Sequence, residues 1–178
     1  DTNSDQKVQK SEFDQAKISH LFQPYGTSVL EAIENIVQDE GHVKYDPYAN
    51  NLSREDVIIA VIGEYPYAEG YGDNPDINLS NFDKDVLKKC YESGNKFVVI
   101  MLSGRPLIIN KHIDQWDGFI AAWLPGIAGE GITDVLFGDY APTGKLSYSW
   151  PKTIDQLPLN EGDSDYDPLF PFGYGLSY

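Results

Sequence analysis

Cysteine occurs once and methionine once in 178 residues, and only 13 Lys and Arg oppose 28 Asp and Glu, a formal charge of −15. A lone Cys90 excludes an internal disulfide and a cysteine-built zinc site. It falls among apolar positions at helical spacing and reads as core. The three histidines, His20, His42 and His112, lie far apart without ligand spacing, so no metal site is expected. The excess of negative charge repels phosphate backbones and anionic lipid, which argues against nucleic-acid and membrane partners. The longest uninterrupted apolar runs, among them Val57–Ile62 and Phe97–Leu102, are six residues, against roughly 20 needed to cross a bilayer. The chain opens on Asp1-Thr2-Asn3-Ser4-Asp5-Gln6-Lys7, with no basic start leading into an apolar stretch, so no signal peptide is expected within it.

What remains is a folded chain. With 41% hydrophobic and 13% aromatic residues it can bury a core, and its length is that of one domain. Residues 1–27 are polar and read as a lead-in or surface loop. Ser28 with Glu31 makes a capping box, and Val29, Leu30, Ile33, Ile36 and Val37 share a helical face that Gly41 is expected to end. A short extended stretch at His42–Tyr45 and a loop from Asp46-Pro47 to Asn50-Asn51 follow. Val57–Ile62, Phe97–Leu102 and Phe119–Leu124 are short apolar runs bounded by Gly or Pro, which predicts strands buried on both faces. Between the first two, Phe82, Val86, Leu87 and Cys90 mark a helix from Ser80 or Asn81 to Gly94; after the third, Ile132, Val135 and Leu136 mark another that ends at Gly138.

The expected order alternates strand and helix, an α/β domain over residues 28–152 with a mostly parallel sheet. Lys145–Ser149 offers one more edge strand. Residues 153–178, with Pro158, Pro168, Pro171 and the aromatics Tyr166, Phe170, Phe172, Tyr174 and Tyr178, read as an extended aromatic strap packed on this domain or a neighbour.

In open parallel sheets ligands bind at the carboxyl ends of the strands, here the loops after Ile62, Leu102 and Leu124. The first, from Gly63 to Asn74, carries the acids Glu64, Glu69 and Asp73 and the tyrosines Tyr65, Tyr67 and Tyr71. Carboxyls at a strand end can donate and accept protons, and tyrosines offer flat faces with a polar tip, a combination suited to sugars. On composition alone, a solvated acidic loop is the simpler reading. The second loop, Ser103-Gly104-Arg105-Pro106, brings a guanidinium to the same edge, best read as an ion-pair partner for those carboxylates. The glycines of the third, Pro125 to Gly131, do not follow a phosphate-binding order, and close backbone packing explains them as well. Asp163-Ser164-Asp165-Tyr166-Asp167 suggests a calcium loop, but Pro168 and Tyr174 stand where Gly and Glu are required.

Several ordered segments resemble one family. They are Val61-Ile62-Gly63-Glu64-Tyr65-Pro66-Tyr67-Ala68-Glu69 with Gly72-Asp73-Asn74, Leu102-Ser103-Gly104-Arg105-Pro106, Ala121-Ala122-Trp123-Leu124-Pro125-Gly126 and Asp134-Val135-Leu136-Phe137-Gly138-Asp139. Thr143-Gly144-Lys145-Leu146, Ser149-Trp150-Pro151, Asp155-Gln156-Leu157-Pro158, Tyr166-Asp167-Pro168-Leu169-Phe170 and Phe172-Gly173-Tyr174-Gly175-Leu176 continue the series. In this order the chain resembles the C-terminal α/β sandwich domain of glycoside hydrolase family 3, the β-glucosidases and exo-β-glucanases.

The resemblance implies a retaining glycosidase acting on a β-glucoside or β-glucan. Its aspartate nucleophile sits on an N-terminal (β/α)₈ barrel, and Glu69 falls at the position of the general acid/base. Glu64, Tyr67 and Asp73 would shape the loop or contact substrate, and no cofactor is implied. Retention needs two carboxyls ~5–5.5 Å apart, and the acid must first hold its proton through burial or neighbouring negative charge. Neither the barrel, nor its nucleophile segment, nor the family's first strand of this domain has a counterpart here. The chain is therefore expected to be a fragment or subunit, inactive alone, with a strand position in its sheet unfilled. The family also implies a secreted or periplasmic enzyme. A non-catalytic carbohydrate-binding or regulatory module is the alternative, and a nucleotide-binding domain a more distant one.

Overall fold

A computed structural model describes residues 26–38, 41–54 and 57–178. The lead-in expected over residues 1–27 lies, up to residue 25, outside the described residues. In chain order the α-helices and strands are α1 (Val29–Val37), β1 (Ile58–Gly63), α2 (Asn81–Ser93), β2 (Phe97–Leu102), β3 (Gly118–Trp123) and α3 (Gly129–Phe137). Three parallel strands and three helices bear out the α/β class. They fall into two compact units, one holding α1 and α3 and the other everything from Lys44 to Pro125 and from Gly138 onward.

In the first unit the Ser28 hydroxyl accepts the Glu31 N–H while the Glu31 carboxylate accepts the Ser28 N–H at 2.9 Å, the reciprocal cap expected from the sequence. Helix α1 stops at Val37, short of the Gly41 terminator, because Gln38 already takes the left-handed value φ 44°. Ala32 and Ile33 are its buried residues, and α1 packs against α3. The glycine-rich start of α3 has a packing cause. Thr27 forms a parallel bridge with Ala128, and a Cβ on Gly129 would stand 2.6 Å from the backbone of Thr27 and Ser28. Only glycine lets the two segments approach so closely.

In the second unit the sheet order is β1-β2-β3, all parallel, with Ile58 beside Phe97 and Val98 beside Gly118. A bulge at Met101/Leu102 sets Leu102 against Trp123. Helix α2 starts at Ser80, whose hydroxyl accepts the Asp83 N–H at 3.0 Å, and ends at Gly94 with φ 74°. It buries Leu87 and Cys90 in the core formed with Ala60, Ile62, Phe97, Val99 and Met101. Burial pushes the Cys90 thiol up in pKa, in keeping with a core role.

Three expectations change. Only β2 is buried on both faces; β1 pairs on one side alone among the described residues and leaves Val61 45% exposed. The β2-to-β3 connection contains no α-helix. Its backbone runs extended through the buried Leu107 and Ile109, with Ile108 bridged to Asn78, and has room for only the single 3₁₀ turn Ile113–Gln115. Lys145–Ser149 is not a fourth strand, because its backbone bonds to the tail: Leu146 N–H to the Tyr174 carbonyl at 2.9 Å, Gly173 N–H to the Leu146 carbonyl at 2.8 Å.

The tail itself has one 3₁₀ turn, Ile154–Gln156, and further turns at 161–162, 164–165 and 172–173, with no helix or strand between them. Its aromatics pack on this unit. Trp150, 1% exposed, donates Nε1–H to the Leu107 carbonyl at 2.8 Å, bridges to Phe170 through its backbone and meets the Phe170 ring edge-on, with Tyr174 stacked behind. Phe172, Leu176 and Tyr178 stay exposed.

Candidate active site at the carboxyl ends of the strands

Strand β1 ends at Gly63, and Glu64 N–H still donates to the Leu102 carbonyl at 3.0 Å, so the acidic loop leaves the sheet beside the end of β2. Gly63 is required there, since any Cβ would run into that carbonyl. Ser103, next after β2, donates its N–H to the Trp123 carbonyl at 3.1 Å and so ties in the end of β3. The three strand ends thereby bring Glu64, Ser103 and Arg105 together.

The Glu64 carboxylate is 18% exposed and well partnered. Ser103 Oγ lies 2.6 Å from Oε2, Tyr67 donates its hydroxyl at 3.1 Å, and Arg105 Nε lies 3.2 Å from Oε1. Arg105 does more than pair with it. Its Nη2 donates to the Gly72 carbonyl at 2.7 Å, and its guanidinium carbon stands 4.4 Å above the Tyr67 ring. Partial burial works against the cation, but the Tyr67 hydrogen bond and the Glu64 charge outweigh it, and the Arg105 pKa is raised. A Cβ on Gly104 would stand 2.5 Å from the Tyr67 hydroxyl and one on Gly72 2.4 Å from its ring, so the tyrosine packs closely against both glycines.

Glu69 opens the 3₁₀ turn Glu69–Gly72, with φ 48° and its side chain exposed. The turn closes through Tyr71 N–H to the Ala68 carbonyl and Asp73 N–H to the Gly70 carbonyl, both at 3.2 Å. Glu69, Tyr67 and Asp73 line one open pocket of about 360 Å³, together with Ala68, Gly72, Gly104 and Arg105. The fourth candidate, Glu64, lies outside that lining, with its carboxylate held in the Ser103–Tyr67–Arg105 network. Sequence reasoning does not single out Ser103 or the Gly72 carbonyl as partners. A Ser-Gly-Arg run at a strand end is the only available signal for the first, and a backbone carbonyl carries none.

A smaller groove of about 270 Å³ lies along the end of β1, lined among others by Val61, Tyr65, Phe82 and Asp83. Asp83 is 6% exposed; burial raises its carboxyl pKa, and hydrogen bonds from Ser80 and from the Gly63 backbone work against the rise. Among the described residues no helix is long and apolar enough to cross a membrane.

Residues 5–178 match the glycosyl hydrolase family 3 C-terminal domain. Among solved structures, the chain is similar to exo-1,3/1,4-β-glucanase from a Pseudoalteromonas species, with 41% identity and a TM-score of 0.78, over 86% of this chain and 21% of that one. It is 35% identical over 156 residues to a periplasmic β-glucosidase of Salmonella typhimurium, covering 75% of this chain and 20% of the other. A β-xylosidase of Formosa agariphila is 29% identical over 185 residues, 87% of this chain and 26% of its own length. The chain thus spans about a quarter or less of these relatives. A match running almost end to end, on a sheet and helices shared with a crystallised glucanase, makes this chain a member of the glycosyl hydrolase family 3 C-terminal domain family.

Proposed function

We propose that this chain is the acid/base-bearing domain of a retaining glycoside hydrolase that removes glucose from β-glucosides or β-glucans, with Glu69 as the acid/base. The observation that carries the reading is the exposed Glu69, set on a braced turn at the rim of an open pocket where the strands end. With the nucleophile on another domain, the proton donor for the glycosidic oxygen has to reach beyond its own. An aspartate nucleophile on an N-terminal barrel would attack the anomeric carbon while the Glu69 carboxyl protonates the departing oxygen, so that the C–O bond breaks as a glycosyl ester forms. The resulting Glu69 carboxylate then takes a proton from water as that water displaces the ester, which returns both carboxyls to their starting state. Docking against the barrel would bury Glu69 and set the nucleophile's negative charge nearby, the two ways to hold its proton.

Tyr67 and Asp73, on the same pocket, would contact the sugar, while Glu64 serves through the loop it holds. The relatives include a β-xylosidase, but β-glucoside chemistry is the reading shared by the glucanase and the β-glucosidase. A periplasmic relative supports export to the periplasm or beyond.

The test is hydrolysis of an aryl β-glucoside by the chain alone, by the chain assembled with a barrel domain, and by that assembly carrying Glu69→Gln. Activity is expected only in the assembly, falling about 10²–10⁴-fold in the variant and partly restored by azide, a nucleophile that needs no general base. An unchanged rate in Glu69→Gln would move the proton donor elsewhere, and no rate in any mixture would make the chain a binding module.

A further inference from the structure

We infer that Arg105 is a positioning residue that fixes where Glu69 presents its carboxyl, acting through the Gly72 carbonyl and the Tyr67 ring; the inference rests on the acid/base reading of Glu69. The hydrogen bonds that close the turn carrying Glu69 at either end are long, at 3.2 Å, and Glu69 itself sits at φ 48°, a value that costs a non-glycine residue backbone energy and needs outside support. Among the described residues, the one side-chain bond from another loop to the turn backbone is Arg105 Nη2 to the Gly72 carbonyl, at 2.7 Å. The guanidinium also covers the Tyr67 ring, two residues before Glu69, at 4.4 Å. Its opposite edge is anchored by Nε to the Glu64 carboxylate, next to the Ser103 hydroxyl.

One planar group thus ties the ends of β1 and β2 to both flanks of Glu69. A planar fork is needed for this. Lysine carries the same charge and would pair with Glu64, but a single ammonium cannot also stack on Tyr67 and point a second donor at Gly72. Arg105→Lys therefore separates the ion pair from the brace.

The prediction concerns leaving groups. An acid that is present but displaced harms cleavage only where the departing oxygen needs a proton. In the assembly with a barrel domain, Arg105→Lys is expected to lower kcat/KM about 100-fold more for phenyl β-glucoside than for 2,4-dinitrophenyl β-glucoside, whose phenolate leaves unprotonated, the scale of a displacement of roughly 1 Å; a shifted Tyr67 would lower both alike. Gly72→Ala is the second variant. Its Cβ meets the Tyr67 ring, so the turn and the ring have to part while the Arg105–Glu64 ion pair stays, and the same selective loss is expected even if Arg105→Lys does not fold. An equal loss on both substrates, or none on either, overturns the inference. Glu69→Gln in the same assay keeps the two failures apart: leaving-group selectivity there but not in the Arg105 and Gly72 variants overturns the brace alone, and its absence in Glu69→Gln overturns the acid/base reading and the brace with it.

Discussion

Asp83 shows how a single buried group can link pH to stability. Its pKa is raised by burial, with bonds from Ser80 and Gly63 opposing the rise. In the unfolded chain the carboxyl titrates near ~3.9, so between that value and the raised one the folded protein holds the proton that the unfolded chain has released. The stability contributed by this group is therefore complete below the unfolded pKa and is lost as pH rises through the folded one. Asn at this position cannot ionise. The difference in unfolding free energy between wild type and Asp83→Asn, measured by urea titration from about pH 4 upward, is expected to shift against the wild type until the folded carboxyl has ionised and then to level off; a constant offset would sink the assignment. Cys90 titrates upward for the same reason of burial, but with an ordinary pKa of 9.0 it stays a neutral thiol throughout this range.

At the scale of elements, the caps and terminators follow from local chemistry, and close approaches follow from glycine. The Ser28 and Ser80 caps and the Gly94 and Gly138 exits all sit where their residue types favour them. Gly129 is different, because its requirement comes from the Thr27–Ser28 backbone, about a hundred residues earlier in the chain. Gly129→Ala is expected to cost about 1–3 kcal/mol, since the added Cβ meets main chain that cannot rotate away. Chemical denaturation would check this, and unchanged or increased stability, as an exposed helical Gly→Ala change gives, would mean that the two segments separate freely.

For the whole molecule, Trp150 is where the aromatic tail joins the sheet. It touches Phe119 and Trp123 of β3 and Phe170 of the tail, and donates to the connection between β2 and β3. Trp150→Ala is expected to cost about 3–5 kcal/mol, a large share of the ~5–15 kcal/mol that holds a domain folded, and to open the tail to protease. A melting profile together with limited proteolysis would show both, and a resistant tail in a destabilised variant would mean that Phe170 and Tyr174 hold it without Trp150. The charge of −15 acts at this scale too, disfavouring anionic partners while leaving an uncharged sugar unaffected.

Local physics made much of the protein legible from its sequence. Apolar runs between Gly and Pro located all three strands to within one residue, the Ser28 box and the Gly94 exit bounded helices, and the acidic loop was recognisable as a strand-end loop because its length and residue types exceed what a connection needs. What remained hidden depends on contacts distant in sequence. Whether Lys145–Ser149 forms a strand is decided by Tyr174 and Gly173, which claim its backbone, and the β2-to-β3 connection is shaped by Ile77 and Asn78, which hold Ile108. The site divides in the same way. Glu64 and Glu69 are two similar acids in one short loop, and composition cannot tell them apart; the fold turns one carboxylate into a network with Ser103, Tyr67 and Arg105 and sets the other on the rim of the pocket. Hydrogen-bond geometry across three strand ends makes that difference, and only tertiary structure brings those ends together.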